Sequence, residues 1–256
     1  MAILPDLERL AANVRARGPD LVVSWFWTRK VPAAFRTIAP LGTIGVHPSL
    51  LPRHRGPDPY FWAIDSGDAV TGVTAHVLDD EYDTGAILAR RELAIAPSWN
   101  AWTLAKKLDR PSLSLLRDTV AAYARGEPPP PIAQDHTLAT DAPQPDDDAL
   151  ELRWTDDAAS IVRRVRAAAP WPGAFTEIGG SVITLSEVRA ATERAELLAA
   201  LTCGEAFVRP DGVAVVRAKD AVIELLRGRI EEDDGERDLD AREIATIVAA
   251  GTGAAR

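Results

Sequence analysis

The chain has 256 residues, 46% of them hydrophobic, enough for one large domain or two small ones with separate cores. Its 29 basic and 38 acidic residues leave a net charge of −9, and no Lys/Arg cluster stands out, so nucleic acid is not an expected partner. No apolar run reaches the length of a membrane span, the N-terminus lacks the basic start and long apolar stretch of a signal peptide, and the single cysteine, Cys203, cannot form an internal disulfide. These features together point to a cytoplasmic protein without membrane attachment.

In chain order, residues 5–17 read as a helix, with Leu7, Leu10, Ala11 and Val14 at helical spacing. Leu21 to Trp25 is a short, partly β-branched apolar run of the kind that becomes a buried parallel strand. A brief helix near 32–38 and a second strand, Thr43 to Val46, follow, and this helix–strand–helix–strand order suggests an α/β fold with a parallel, crossover-connected sheet. A loop rich in Pro, Arg and Gly spans 47–57. Asp58 then caps a helix whose first residue is Pro59 and which runs through Tyr60, Trp62 and Ile64. Residues 71–78 alternate apolar and polar and read as a half-exposed strand; after the turn at 79–85 another strand covers about 86–95. Residues 99–125 are helical, with an interruption expected near Pro111.

The stretch 127–147 has six prolines and no hydrophobic period, so it reads as a stiff, exposed linker between a first domain (1–126) and a second (148–256). Beyond it a helix at about 157–168 leads to Pro170-Trp171-Pro172-Gly173-Ala174-Phe175. Short strands follow near 181–188, 205–209, 213–217 and 221–227, with turn signals such as Pro210-Asp211-Gly212, which suggests a small barrel or twisted sheet. The acidic stretch 231–240 reads as solvated, and a last helix covers about 240–250. Arg163, Arg164 and Arg166 form the densest basic group, read as a solvated helix face.

Two loops carry the chemistry. Gly45 to Gly56 (GVHPSLLPRHRG) and Asp79 to Gly85 (DDEYDTG) each follow the end of an expected strand, where open α/β sheets bind ligands. A histidine there, His47, can act as general acid or base near neutral pH, and a neighbouring carboxylate, Asp83, can fix its tautomer and raise its basicity. Pro48 and Pro52 stiffen the segment between them. Read singly, His47 is an ordinary surface histidine and Asp83 an ordinary turn residue. A metal site from His47, His54 and His76 is not expected: no two stand at i, i+4 on a helix and no cysteine joins them. The tryptophans at 25, 27, 62, 99, 102, 154 and 171 read mainly as core or linker anchors.

Taken together, the loop His47–Gly56, the run Gly67-Asp68 with Thr71-Gly72-Val73-Thr74, the triplet Asp83-Thr84-Gly85 and the spacing from His47 to Asp83 resemble the 10-formyltetrahydrofolate-dependent formyltransferases, which include methionyl-tRNA and amino-sugar formyltransferases. Trp171-Pro172-Gly173-Ala174-Phe175 is similar to the start of that family's C-terminal domain. The resemblance implies a truncated Rossmann-like sheet followed by an open, OB-like β-barrel. It implies His47 as base or oxyanion partner, Asp83 orienting and charging it, Ser49, Leu50, Leu51 and Pro52 lining a folate pocket, and Leu78, Asp79 and Asp80 within the segment that wraps the pterin. 10-Formyltetrahydrofolate is the implied co-substrate.

Two departures accompany the resemblance. The family motif Asn-x-His stands here as Gly45-Val46-His47, and removing one oxyanion donor of that kind costs roughly 10²–10³ in rate. The chain also starts where family members have already placed further βα units, which leaves an exposed sheet edge and an expectation that a second copy or a partner protein covers it. The acidic balance, with 20 acidic and 14 basic residues after position 147, favours a small amine or amino sugar over tRNA as acceptor. The competing readings are a catalytically degenerate folate-binding or regulatory protein, and a formyl-folate hydrolase with water as acceptor.

Overall fold

The computed structural model describes residues 6–25, 27, 29–193, 195–232 and 235–251. It divides into two compact units, Met1–Ala63 with Ala69–Ala96 and Leu104–Gln144, and Ile64–Asp68 with Pro97–Thr103 and Pro145–Arg256.

In the first unit Asp6 caps α1 (Leu7–Arg15) by accepting from the backbone N–H groups of Glu8 and Arg9. Ala11 packs in a small cluster with Ile38 and Ala39, joined by Val14, Val22 and Phe35. The sheet runs β1 (Val22–Trp25), β2 (Thr43–His47), β3 (Val70–Val77), β4 (Ile87–Ala94) in that order. The short α2 (Ala33–Arg36) lies between β1 and β2, which pair in parallel. The two later strands pair antiparallel, so the parallel character expected from the helix–strand order belongs to the β1–β2 pair and the sheet is mixed.

β3 was expected to be half exposed. Instead Thr71 through His76 are all buried, because β3 is an inner strand of the sheet and its polar side chains are spent internally. Thr74 Oγ1 donates to the Ser49 carbonyl (2.7 Å) and accepts from Leu51 N–H (3.1 Å). After α3 (Pro59–Asp65) and β4, the helix α4 (Ala101–Ala124) runs unbroken through Pro111, where an interruption was expected. Proline removes one backbone donor. A continuous buried face of Leu104, Leu108, Ser112, Leu115, Leu116 and Thr119 outweighs that loss.

The proline-rich stretch, read from the sequence as a stiff, exposed linker, is held along its backbone. Residues up to 144 belong to the first unit, pinned by backbone pairing of Ile132 with Ile87 and of Asp141 with Arg55, and by the Trp62 indole donating to the Pro143 carbonyl (2.7 Å). Its side chains are mostly exposed, as expected, yet its backbone is fixed at several points.

The second unit holds α5 (Asp147–Leu150), α6 (Ala158–Ala168), β5 (Ala174–Ile178), β6 (Ser181–Ala191), α7 (Ala195–Ala200), β7 (Ala206–Val208), β8 (Ala214–Arg217), β9 (Val222–Glu232), β10 (Gly235–Asp240) and α8 (Ala241–Ala250). The strands form one antiparallel sheet in the order β5-β6-β9-β8-β7, with β10 also on β9. Register shifts beside Glu187 mark where the long β6 departs from regular pairing. The acidic stretch expected to be merely solvated is the β9–β10 hairpin, exposed along most of its length. Asp240 and Glu243 close a capping box at the start of α8. Arg163, Arg164 and Arg166 are anchored rather than forming a free solvated face: Arg163 donates to the Asp65 carbonyl, Arg164 pairs with the Asp65 carboxylate and Arg166 donates to the Trp99 carbonyl. Among the described residues no helix is long and apolar enough to cross a membrane.

Candidate functional site

Strand β2 ends on His47, and the loops that follow β2 and β3 place His47 and Asp83 side by side at a cavity of about 800 Å³ in the first unit. Asp83 Oδ2 lies 3.4 Å from His47 Nδ1 and accepts from Gly56 N–H at 2.9 Å. Its other oxygen, Oδ1, lies 3.6 Å from Nε2 of His76, which descends from β3. One carboxylate therefore sits between two buried imidazoles. His47 is further fixed by Nε2, 2.7 Å from the His54 carbonyl. His76 places Nδ1 3.0 Å from the Val77 carbonyl. Burial pushes the His76 pKa down to about 4, with Asp83 pulling the other way and His47 adding to the depression.

Asp83 holds a left-handed backbone conformation, φ 56°. Such residues persist where their surroundings over-determine them. Here the carboxylate is held by Gly56, and the Asp83 carbonyl accepts from Gln134 Nε2 at 2.8 Å. The same amide group reaches the Gly85 carbonyl at 2.7 Å, while Gln134 Oε1 accepts from Arg55 Nη2 at 2.7 Å. The buried side chain of Gln134 thus ties the Asp83 loop to the His47 loop. A few residues on, Thr140 Oγ1 accepts from His54 N–H (2.9 Å), fixing the residue whose carbonyl faces His47. Neither Gln134 nor Thr140 was singled out from the sequence. Each acts through short polar contacts across a large separation in the chain, and no periodicity marks it.

Of the expected pocket residues, His47, Leu78, Asp79 and Asp83 line the cavity. Ser49, Leu50, Leu51 and Pro52 are not among its lining residues. Ser49 Oγ donates to the Arg53 carbonyl, the Leu51 carbonyl accepts from Arg90, and Ser49, Leu51 and Pro52 are buried. These contacts brace the loop that carries His47 from within. Asp80 points to solvent and pairs with Arg36, so it too lies off the cavity wall. Asp79 accepts from Thr84 Oγ1 (2.6 Å) and Glu81 N–H (3.3 Å), which shapes the turn that carries Asp83. The cavity is also lined by Trp27, Arg29, Lys30 and Tyr82, a mixed aromatic and basic wall. Among the described residues, no group of three or more His, Cys, Asp or Glu is gathered to hold a metal.

Gly45 also lines the cavity, directly opposite His76 in the β2–β3 ladder. A Cβ at this position would lie 2.6 Å from Leu78 Cδ1 and 3.5 Å from His76 Nε2.

Residues 6–120 match the family model described as formyl transferase, and residues 146–246 match that of the formyl transferase C-terminal domain. A methionyl-tRNA formyltransferase of Myxococcus xanthus is 35% identical over 224 residues, covering 82% of this chain and 72% of the relative. That kinship lends no support to setting tRNA aside on charge alone. Among solved structures, HypX from Aquifex aeolicus in complex with tetrahydrofolic acid shares the fold with a TM-score of 0.69 at 22% identity; the match covers 94% of this chain and 41% of HypX. An N-formyltransferase from Helicobacter canadensis, solved with folinic acid and dTDP-3-aminofucose, shares it with a TM-score of 0.61 at 15% identity, covering 80% of this chain and 72% of that one. With both domain models matched in order along one chain, and with a curated relative covered over most of its length, this protein belongs to the formyl transferase family.

Proposed function

We propose that the chain transfers the formyl group of 10-formyltetrahydrofolate to a primary amine at the cavity bounded by His47, His76 and Asp83. The observation that supports this most is the clamped carboxylate: Asp83 held by Gly56 N–H and set between two imidazoles, at a cavity whose volume suits a ligand of folate size. The amine lone pair adds to the formyl carbon, and the carbonyl π pair moves onto oxygen. A proton leaves the amine nitrogen, the oxyanion pair reforms the carbonyl, and the carbon–N10 bond breaks as N10 takes up a proton. The products are a formamide and tetrahydrofolate. The His47 ring, oriented by Asp83, is suited to stand by the oxyanion. Arg29 and Lys30 on the wall suit the carboxylates of the folate tail.

A small amine, such as an amino sugar, is one acceptor class, compatible with the net charge of −9, which does not by itself decide against tRNA. The Myxococcus xanthus kinship favours a second reading, in which the acceptor is an aminoacyl-tRNA. The test is to incubate the protein with 10-formyltetrahydrofolate and, separately, nucleotide-linked amino sugars, methionyl-tRNA or no acceptor. Tetrahydrofolate, formamide product and free formate are then measured. Formamide with one acceptor class supports transfer and names the class. Formate without any amine replaces transfer by hydrolysis, and binding of folate without turnover would leave a folate-binding protein.

A further inference from the structure

Resting on the formyl-transfer reading, we propose that His76 Nε2, in the space that glycine leaves at position 45, takes the proton from the attacking amine. Three observations carry this. The first is placement. His76 and Gly45 are cross-strand neighbours and both line the cavity. A Cβ at Gly45 would stand 2.6 Å from Leu78 Cδ1 and 3.5 Å from His76 Nε2, so with glycine at this position only the movable tip of Leu78 occupies that place, and a longer side chain would crowd the approach to that nitrogen.

The second is the count of protons on the two rings. His76 Nδ1 is 3.0 Å from the Val77 carbonyl, which can only accept, so the ring hydrogen of neutral His76 is on Nδ1 and its lone pair is on Nε2. His47 is placed differently. Its Nε2 faces the His54 carbonyl at 2.7 Å and its Nδ1 faces the Asp83 carboxylate at 3.4 Å. The His54 carbonyl can only accept, so Nε2 of His47 carries a hydrogen toward it, while Nδ1 is turned to Asp83. Of the two rings, His76 is therefore the one that offers a lone pair on Nε2.

The third is what awaits a proton on His76. Asp83 Oδ1 is 3.6 Å from Nε2, outside hydrogen-bond reach at rest, but near enough to favour a cation once one forms. Burial keeps the ring neutral beforehand, with its pKa near 4. The amine nitrogen bonds to the formyl carbon and its N–H proton passes to His76 Nε2. When the carbon–N10 bond breaks, the departing pair on N10 takes that proton back, so His76 ends neutral and the products are formamide and tetrahydrofolate.

The experiment pairs turnover with a direct reading of the rings. H76Q and H76N are compared with wild type for kcat, for affinity toward 5-formyltetrahydrofolate by calorimetry, and for formamide yield. In parallel, ¹⁵N-histidine NMR of the wild type at neutral pH reports which ring nitrogens carry hydrogen, with each ring assigned by its own substitution. The expected result is a kcat loss of about 100-fold or more in both variants, with folate affinity within about twofold of wild type. The spectrum should show His76 neutral with hydrogen on Nδ1, and hydrogen on Nε2 of His47. Turnover in H76Q within about threefold of wild type overturns the proposal, as does hydrogen on Nε2 of neutral His76. If wild type transfers formyl to no acceptor, the formyl-transfer reading fails and the catalytic role of His76 fails with it. The NMR result then still decides whether the proton arrangement was read correctly. If a variant loses folate binding, the wild-type spectrum alone decides.

Discussion

Replacing Gln134 with alanine tests whether the site depends on its clamp. One amide group donates to two carbonyls, those of Asp83 at 2.8 Å and Gly85 at 2.7 Å, and the side chain is buried. Each bond of this kind contributes about 0.5–1.5 kcal/mol net, so losing both costs about 1–3 kcal/mol. Asp83, at φ 56°, would also be free to leave a backbone conformation that disfavours L-residues by about 1 kcal/mol. With 1.4 kcal/mol per tenfold, about 2–4 kcal/mol lowers the ratio of held to released loop by roughly thirty- to several-hundredfold. The reporter is Gly56 N–H, which donates to Asp83 Oδ2. Its hydrogen exchange, followed by NMR, should accelerate by about tenfold or more in Q134A. The amides inside β2 should stay protected, and affinity for 5-formyltetrahydrofolate should drop in step. Unchanged Gly56 exchange in a folded Q134A would refute the clamp, since nothing else in the reasoning predicts that silence.

Three further outcomes follow from the geometry. In G85A the new Cβ would lie 1.8 Å from the Val77 carbonyl oxygen, the same oxygen that faces His76 Nδ1; backbone has to move, and a stability loss of about 1–3 kcal/mol by chemical denaturation is expected together with loss of folate binding. In G45A the clash is with the tip of Leu78, which can swing, so the melting temperature should change little while folate affinity weakens because Leu78 lines the cavity; a large fall in melting temperature would contradict this. The third concerns pH. His76, facing Asp83, His47 and Asp79, has a folded pKa near 4 against an ordinary 6.5, so between those values the unfolded chain binds the proton and the folded chain does not. Its contribution to stability is therefore complete above pH 6.5 and is lost as pH falls toward 4, by up to about 3 kcal/mol. H76Q should flatten that part of the curve, and parallel curves for variant and wild type would count against the burial argument.

The sequence made the partnership of His47 with Asp83 legible because each follows a strand end that hydrophobic runs mark well. The order of elements was readable for the same reason. What escaped was set by packing across distance. The alternation in 71–78 promised a wet face, but Thr74 and His76 are buried with internal partners, a distinction that polarity alone does not make. Pro111 looked like a break until its helix showed a buried face long enough to outweigh one missing bond. Ser49, Leu51 and Pro52 are buried and brace the His47 loop, contacts that adjacency in sequence does not spell out. Gln134 and Thr140 lay in a stretch whose prolines read as mere spacing.

That stretch changes where this protein can be cut. The run Pro128 to Pro131 is the natural place to end a fragment or to splice in another domain. A piece stopping there would retain both strand ends and both ligand loops while lacking the two side chains that latch them. Such a chimera would keep His47 and Asp83 and lose their alignment, whereas a boundary placed after Gln144 carries the latch along. During synthesis the same order holds: His47 and Asp83 leave the ribosome first, and their fastening arrives about fifty residues after Asp83, after the whole of α4.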